Sequence, residues 1–188
     1  SEKLLKITVS NVNFGETISL ENPISNEHSL LRKSLIPSLL LNASRNTNNW
    51  KKPIKLFEVG NVFYTLKSKI IEKTMIAGIL TGSKNELDWN QSDEDVNYFD
   101  AKGIVELILK KLNIDFEVLK CEDDLFKKNK SSSLFNKNIN QSLGYLGEIS
   151  DEIIKSFSFN TDIAVIFELD LEKLVKSQMP IIYKDFSS

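Results

Sequence analysis

Two runs constrain this chain more than any other feature: Lys55–Tyr64 (KLFEVGNVFY) and Lys73–Gly82 (KTMIAGILTG). Both carry apolar residues at odd and even positions, the pattern of strands covered on two faces rather than half-exposed. They are therefore expected as central strands of a covered sheet. The connection Leu66–Glu72 is short and polar, too short for a crossover helix, so the two runs are expected to be antiparallel neighbours. Gly60 and Gly78 lie inside them and predict a close backbone approach or a bulge.

Strands and helices alternate along the rest of the chain. Lys3–Ser10 alternates apolar and polar residues and reads as a strand, with a turn at Asn13–Gly15 and a second strand at Thr17–Leu20. Pro23 breaks the pattern, because it fixes its own φ and restricts the residue before it. Pro37 forbids one straight helix across residues 26–46. An N-cap at Ser34 instead puts Pro37 in the first turn, where no N–H is needed, and predicts a helix from Leu35 to Ser44. Ser83–Val96 reads as a polar loop. Ala101, Ile104, Val105, Ile108 and Leu112 then recur at helical spacing, with Asp100 as the expected cap. A strand is expected at Phe116–Leu119, and the charged, Ser-rich stretch Glu122–Asn138 reads as a solvated loop. Leu143–Glu148 and Ile163–Leu169 read as strands, the latter buried. Ser150 is the expected cap of a short helix at Asp151–Lys155, and Pro180 ends a last helix begun at Leu171–Lys176. The sum is an α+β fold: a mixed or mainly antiparallel sheet of about six strands with helices packed on it. With 188 residues and no internal boundary, residues 1–180 are expected to form one domain.

Composition removes several kinds of chemistry. The chain has one Cys (Cys121) and one His (His28), so it cannot assemble a disulfide framework or a Cys/His zinc site. A lone Cys fits a reducing compartment, and the longest apolar runs fall far short of a membrane span. A single His beside a helix start is far more often a capping or surface residue than a catalytic base, and no G-x-S-x-G turn accompanies it. Cys121 stands beside acidic residues, which raise a thiol pKa rather than activate it. The seven glycines form neither G-x-G-x-x-G nor a P-loop. The pairs Asp93/Asp95 and Asp123/Asp124 are of the kind that usually only solvate a loop.

Charge is unevenly spread. Residues 1–60 hold 8 basic and 5 acidic residues, a net of +3, whereas residues 86–126 hold 4 and 12, a net of −8. The basic residues are not interleaved with aromatics, so the asymmetry favours a polar partner surface over a nucleic-acid groove. Of the 24 Lys+Arg only two are Arg, Arg32 and Arg45. Lysine replaces arginine poorly where a flat bidentate fork must grip phosphate or carboxylate. From the residues alone, this is a folded module without a catalytic constellation.

A resemblance gives that reading a context. LENPISNEHSLLRKSLIPSLL, residues 20–40, resembles the "NP-[LI]-S … LR-x-S-L-x-P-x-LL" signature of the bacterial phenylalanine–tRNA ligase beta subunit. KLFEVGNVF at Lys55–Phe63 is similar to the family's "LFE-[IV]-G-x-VF" strand, and MIAGILTG at Met75–Gly82 to the strand that follows. YFDAKGIVELIL at Tyr98–Leu109 resembles its "FFDLKG-x-VE-x-LL" helix. Gly144–Ile149 and Val165–Leu171 match the last two strands, in the same order.

The resemblance implies a class II aminoacyl-tRNA-synthetase-like core, an antiparallel sheet flanked by helices. It implies a catalytically degenerate copy of the alpha subunit's active domain, packed on that subunit in an (αβ)2 heterotetramer in the cytoplasm. ATP and Mg would serve the whole complex, with no cofactor in this fragment. YKDFSS at Tyr183–Ser188 resembles the start of a linker, residues 181–188, to a C-terminal anticodon-binding domain, and an editing module would lie upstream. Active class II cores use a motif 2 Arg and a motif 3 Arg on the carboxylate and phosphates. The equivalent strands here, Lys55–Tyr64 and Ile163–Leu169, contain none. Preorganised positive charge is the main catalytic device in such chemistry. No catalytic residue is therefore assigned. The surface expected to face the alpha subunit includes Asn22, Arg32, Leu35, Leu39 and Asn46, although an ion pair of Arg32 with Glu27 or Glu58 is an equal expectation. A secondary tRNA contact would fall to Lys51, Lys52 and Lys55 or to Lys127, Lys128 and Lys130. The family's His-containing segments near Lys130–Leu134 and after Glu148 are replaced here by KNKSSSL and GEISDEI.

Overall fold

A computed structural model describes residues 16–19, 30–49, 53–84 and 94–180. Within them, α1 (Ile36–Asn49) is followed by the strands β1 (Ile54–Leu66) and β2 (Lys69–Thr81), and then by α2 (Tyr98–Lys111). β3 (Glu117–Lys120), β4 (Phe126–Asn136) and β5 (Gln141–Ile149) come next. α3 (Asp151–Ser156), β6 (Ala164–Asp170) and α4 (Leu171–Ser177) complete the order. The six strands form one sheet in the order β1-β2-β6-β5-β4-β3, and every pairing is antiparallel. The α+β fold with an antiparallel sheet is as expected.

The β1–β2 hairpin is longer and tighter than its sequence predicts. Its register runs unbroken from Ile54↔Thr81 to Leu66↔Lys69. Only Lys67 and Ser68 make the turn, both with positive φ, 49° and 62°. That conformation suits a two-residue hairpin but is one that side chains other than Gly adopt at a cost. Gly60 and Gly78 mark close approaches, not bulges. A Cβ at Gly78 would lie 2.5 Å from the Phe167 ring, and one at Gly60 would collide with the Arg32 guanidinium.

Several expectations need correction or refinement. β1 is not central: it is the edge of the sheet, and its Phe57 and Val59 are 78% and 53% exposed. Its two-sided apolar pattern therefore marks an uncovered surface, whereas β2 does lie inside the sheet. The stretch expected as a solvated loop, Glu122–Asn138, contains the eleven-residue strand β4. Its burial pattern does not alternate cleanly, because Asn129 takes a positive φ of 61° where the register with β5 shifts between Phe126 and Ser131. Such a bulge destroys the period-2 signal. α2 is capped by Asn97 and not by Asp100. The Asn97 side chain accepts from Phe99 N–H, and Asp100 accepts in return from the Asn97 N–H at 2.7 Å, a capping box. Ser150 holds the cap position of α3, but its hydroxyl makes no cap bond and is buried without a partner among the described residues.

Of the strand expected at Thr17–Leu20, residues 17–19 are described; together with Glu16 they contribute isolated bridges, Glu16 with Thr65 and Ser19 with Leu30, and not a strand. Lys3–Ser10, His28 and the linker 181–188 lie outside the described residues.

Side chains alternate across the sheet and build two cores. On one face Leu35, Ile36, Leu39, Leu40 and Ala43 pack on Val62, Met75, Ala77, Ile79, Tyr145, Ala164 and Ile166. On the other, Ala101, Val105 and Leu109 of α2 and Leu174 of α4 pack on Leu80, Leu143, Leu146, Val165, Phe167 and Leu169. β6 lies between the two layers with all seven residues buried, so its apolar run is explained by two-sided coverage.

Candidate functional site

The strands equated above with motifs 2 and 3 are β1 and β6, with β2 between them. The sheet face they share under α1 carries the chain's most unusual polar group. Glu168 interrupts the apolar run of β6 and is fully buried. Its carboxylate accepts from the Leu35 N–H at 2.8 Å, from the Ser34 hydroxyl at 3.0 Å and from the Tyr145 hydroxyl. Ser34 Oγ in turn accepts from the Ile36 N–H at 3.1 Å. The carboxylate thus binds the Leu35 N–H directly and the Ser34 hydroxyl that accepts from the Ile36 N–H, and so pins the start of α1 to the sheet.

Burial pushes the Glu168 carboxyl above its ordinary value, although Tyr145, Leu35 and Ser34 pull the other way. Burial also drives the Tyr145 phenol well up, and the neighbouring Glu168 adds to it. A proton is therefore held on Tyr145 and shared towards Glu168. Glu168 and Tyr145 are both buried within the core under α1, so the pair cannot meet a solute. Chemically it is a clamp, not a reaction centre.

A second polar pair lies beside it. Arg32 Nη1 binds Glu58 Oε1 at 2.5 Å, and Arg32 Nε donates to the Asn61 carbonyl at 2.9 Å. The guanidinium occupies the space that the missing side chain of Gly60 leaves open. At the end of β6, Asp170 accepts from Lys73 Nζ at 2.8 Å and caps α4 through the Lys173 N–H at 3.1 Å. Burial lowers the Lys73 ammonium, but Asp170 and Tyr64 together more than offset it, leaving that pKa raised. At Lys173 burial prevails, and the pKa is lowered. Among the described residues no group of three or more His, Cys, Asp or Glu could hold a metal ion. No helix among them is long and apolar enough to cross a membrane.

The residues expected at a subunit surface separate into distinct places. Leu35 and Leu39 are 0% and 3% exposed, their side chains spent on their own sheet. Arg32 takes the expected ion pair with Glu58. Asn46 is exposed on α1, where its amide donates to the Asn42 carbonyl at 2.8 Å. Asn22 lies outside the described residues. Of the lysines considered for tRNA, Lys127 pairs with Asp151 at 2.8 Å and Lys130 with Glu148 at 3.3 Å. Glu168 was missed because an apolar run hides one charge, yet a carboxylate inside IAVIFEL was the available signal.

The outward surface is on the other face. Phe57 and Val59 of β1 and Val175 of α4 (65%) are exposed, and an open groove of about 340 Å³ lies between β2 and α4, lined by Thr74, Leu171, Glu172, Val175 and Lys176. Phe99 and Leu107 of α2 are also exposed, at 69% and 57%.

Comparison with known proteins follows this geometry closely. Residues 1–171 match the family model described as the phenylalanyl tRNA synthetase beta chain CLM domain. The chain is 34% identical over 175 residues to the chloroplastic phenylalanine–tRNA ligase beta subunit of Porphyra purpurea, covering 90% of this chain and 24% of that protein. It is 33% identical over 164 residues to the phenylalanine–tRNA ligase beta subunit of Francisella tularensis, covering 87% and 20%. It therefore spans about a quarter or less of the curated relatives it matches. Two solved structures of pyrrolysyl-tRNA synthetase from Desulfitobacterium hafniense share the fold, with TM-scores of 0.65 and 0.60 at 17% and 15% identity. They cover 95% and 85% of this chain, and 60% and 52% of theirs. The fold is that of a class II synthetase core.

Proposed function

This chain belongs to the family of the phenylalanyl tRNA synthetase beta chain CLM domain, and from that premise we propose that it is a non-catalytic, core-like module of a phenylalanine–tRNA ligase. It packs on the catalytic alpha subunit in an (αβ)2 heterotetramer and so supports the cytoplasmic synthesis of Phe-tRNA(Phe) from ATP, Phe and tRNA. ATP and Mg serve the alpha subunit's site, and this module holds neither.

One observation carries the proposal: the sheet face shared by β1 and β6 is filled. Leu35, Leu39 and Leu40 cover it, and Glu168 faces inward with its oxygens engaged by Ser34, Leu35 and Tyr145. The two strands supply no arginine, and Arg32 is bound to Glu58. A buried carboxylate is the wrong charge for a triphosphate, and a site for adenylate formation needs preorganised positive charge. A direct tRNA-contacting role has less support, since Lys127 and Lys130 are already paired with carboxylates.

The test uses the full-length beta subunit with this module intact or deleted, each mixed with purified alpha subunit in sedimentation velocity. The expected result is a heterotetramer with the intact subunit and its loss on deletion, while the remaining beta domains stay folded by circular dichroism. An undiminished heterotetramer after deletion overturns the packing role.

A further inference from the structure

We infer that the outer face of α2 is a self-complementary docking surface for the same helix of a second copy of this chain, antiparallel about a two-fold axis at Gly103.

α2 buries Ala101, Val105 and Leu109 against the sheet. Its opposite side should then be polar, and it is not. Phe99 and Leu107 are 69% and 57% exposed, with Ile104 at 38% on the flank. Phe99, Gly103 and Leu107 recur at i, i+4 and i+8, so they form one stripe along the helix. Gly103 sits at its centre, and nothing lies within 4 Å of where its Cβ would be. Glycine in a helix interior costs about 1 kcal/mol relative to alanine, and no intrachain crowding requires it here. It leaves a flat notch through which another backbone can approach.

The charges around the stripe select the occupant. Turning a second copy by 180° about Gly103 sets Phe99 opposite Leu107 of that copy, twice, with the two glycines face to face. On one flank Lys102 and Glu106 pair within the helix at 3.5 Å. The antiparallel arrangement brings each beside its opposite charge on the second copy. At the helix ends, Asp95 meets the basic side (Lys110 and Lys111) of the other molecule, while Glu94 and Asp100 are already paired with Lys84 at 3.3 and 3.6 Å. A parallel arrangement would set like charges together at both ends. A surface that matches itself under a two-fold rotation is the mark of an isologous contact.

One helix pair buries less than the ~1,000 Å² of a stable interface, so the dimer is expected to be weak, with Kd on the order of 10–100 μM. Sedimentation equilibrium of the 188-residue chain from 5 μM to 1 mM tests it. A monomer–dimer equilibrium is expected, and Leu107→Glu should weaken it by about tenfold or more while leaving the circular dichroism spectrum and thermal midpoint unchanged. The charge argument has its own test. Lys102→Glu and Glu106→Lys should each weaken the dimer alone, and an equimolar mixture of the two variants should restore it as a heterodimer. A monomer at 1 mM overturns the inference. So does a dimer indifferent to Leu107→Glu, or two charge variants that fail to recover association when mixed.

Discussion

The two faces of the sheet differ in how they end. Under α1 the apolar side chains are covered, and the buried Glu168 accepts from the Ser34 hydroxyl, the Leu35 N–H and the Tyr145 hydroxyl. On the opposite face α2 and α4 cover β5, β6 and β2 but leave Phe57, Val59, Val175, Phe99 and Leu107 in solvent. Helices of this chain lie over both faces, but on the second one the edge strand β1 keeps Phe57 and Val59 exposed. The face under α1 is closed by this chain's own side chains, and the face behind it leaves apolar side chains exposed.

That contrast can be broken by substitution. Leu40→Ala, at 0% exposure under α1, is expected to cost about 2–5 kcal/mol in urea unfolding, whereas Leu107→Ala on the open side should stay within about 0.5 kcal/mol. Equal costs would mean that the two faces are not differently packed. Glu168→Ala leaves the Ser34 hydroxyl, the Leu35 N–H and the Tyr145 hydroxyl without their acceptor and should cost roughly 2–4 kcal/mol.

The same clamp has a pH signature. Burial raises the folded Glu168 pKa above 4.5, so the folded chain holds a proton where the unfolded chain has lost it. Its contribution to stability therefore grows as pH falls through the folded value towards 4.5 and is lost as pH rises. The stability difference between the wild type and Glu168→Gln should shift in favour of the wild type as pH is lowered from neutral towards 4.5, measured by urea midpoints. A flat difference contradicts an elevated Glu168. Smaller still is the cap of α2: Asn97→Ala should cost about 1 kcal/mol, and Asp100→Ala, which removes the reciprocal half of the capping box, a comparable or smaller amount.

Much of this was legible in advance, for physical reasons that also explain the misses. Ser34, Pro37 and the leucines after them announced α1, because a cap, a first-turn proline and a 3.6-residue stripe are local signals. The helix then ran on to Asn49, past the last residue of its apolar stripe. The strands β2 and β6 show in the sequence as covered apolar runs, and β5 as a strand. β1 reads as a strand from its sequence but not as an edge, since exposed and buried apolar residues look alike in sequence. β4 was hidden by its bulge at Asn129 and its serines, which read as loop. The Glu168 clamp joins Ser34 to a residue 134 positions away, and no local pattern encodes such a contact.

The central claim, that this class II-like sheet has no adenylate chemistry of its own, is tested most directly by phenylalanine-dependent ATP–pyrophosphate exchange with the purified chain. The account predicts no exchange above a protein-free control at any concentration of ATP, Mg or Phe, with exchange appearing only when alpha subunit is present. Phenylalanine-dependent exchange by the chain alone, scaling with its concentration and lost on Glu168→Ala, would contradict it.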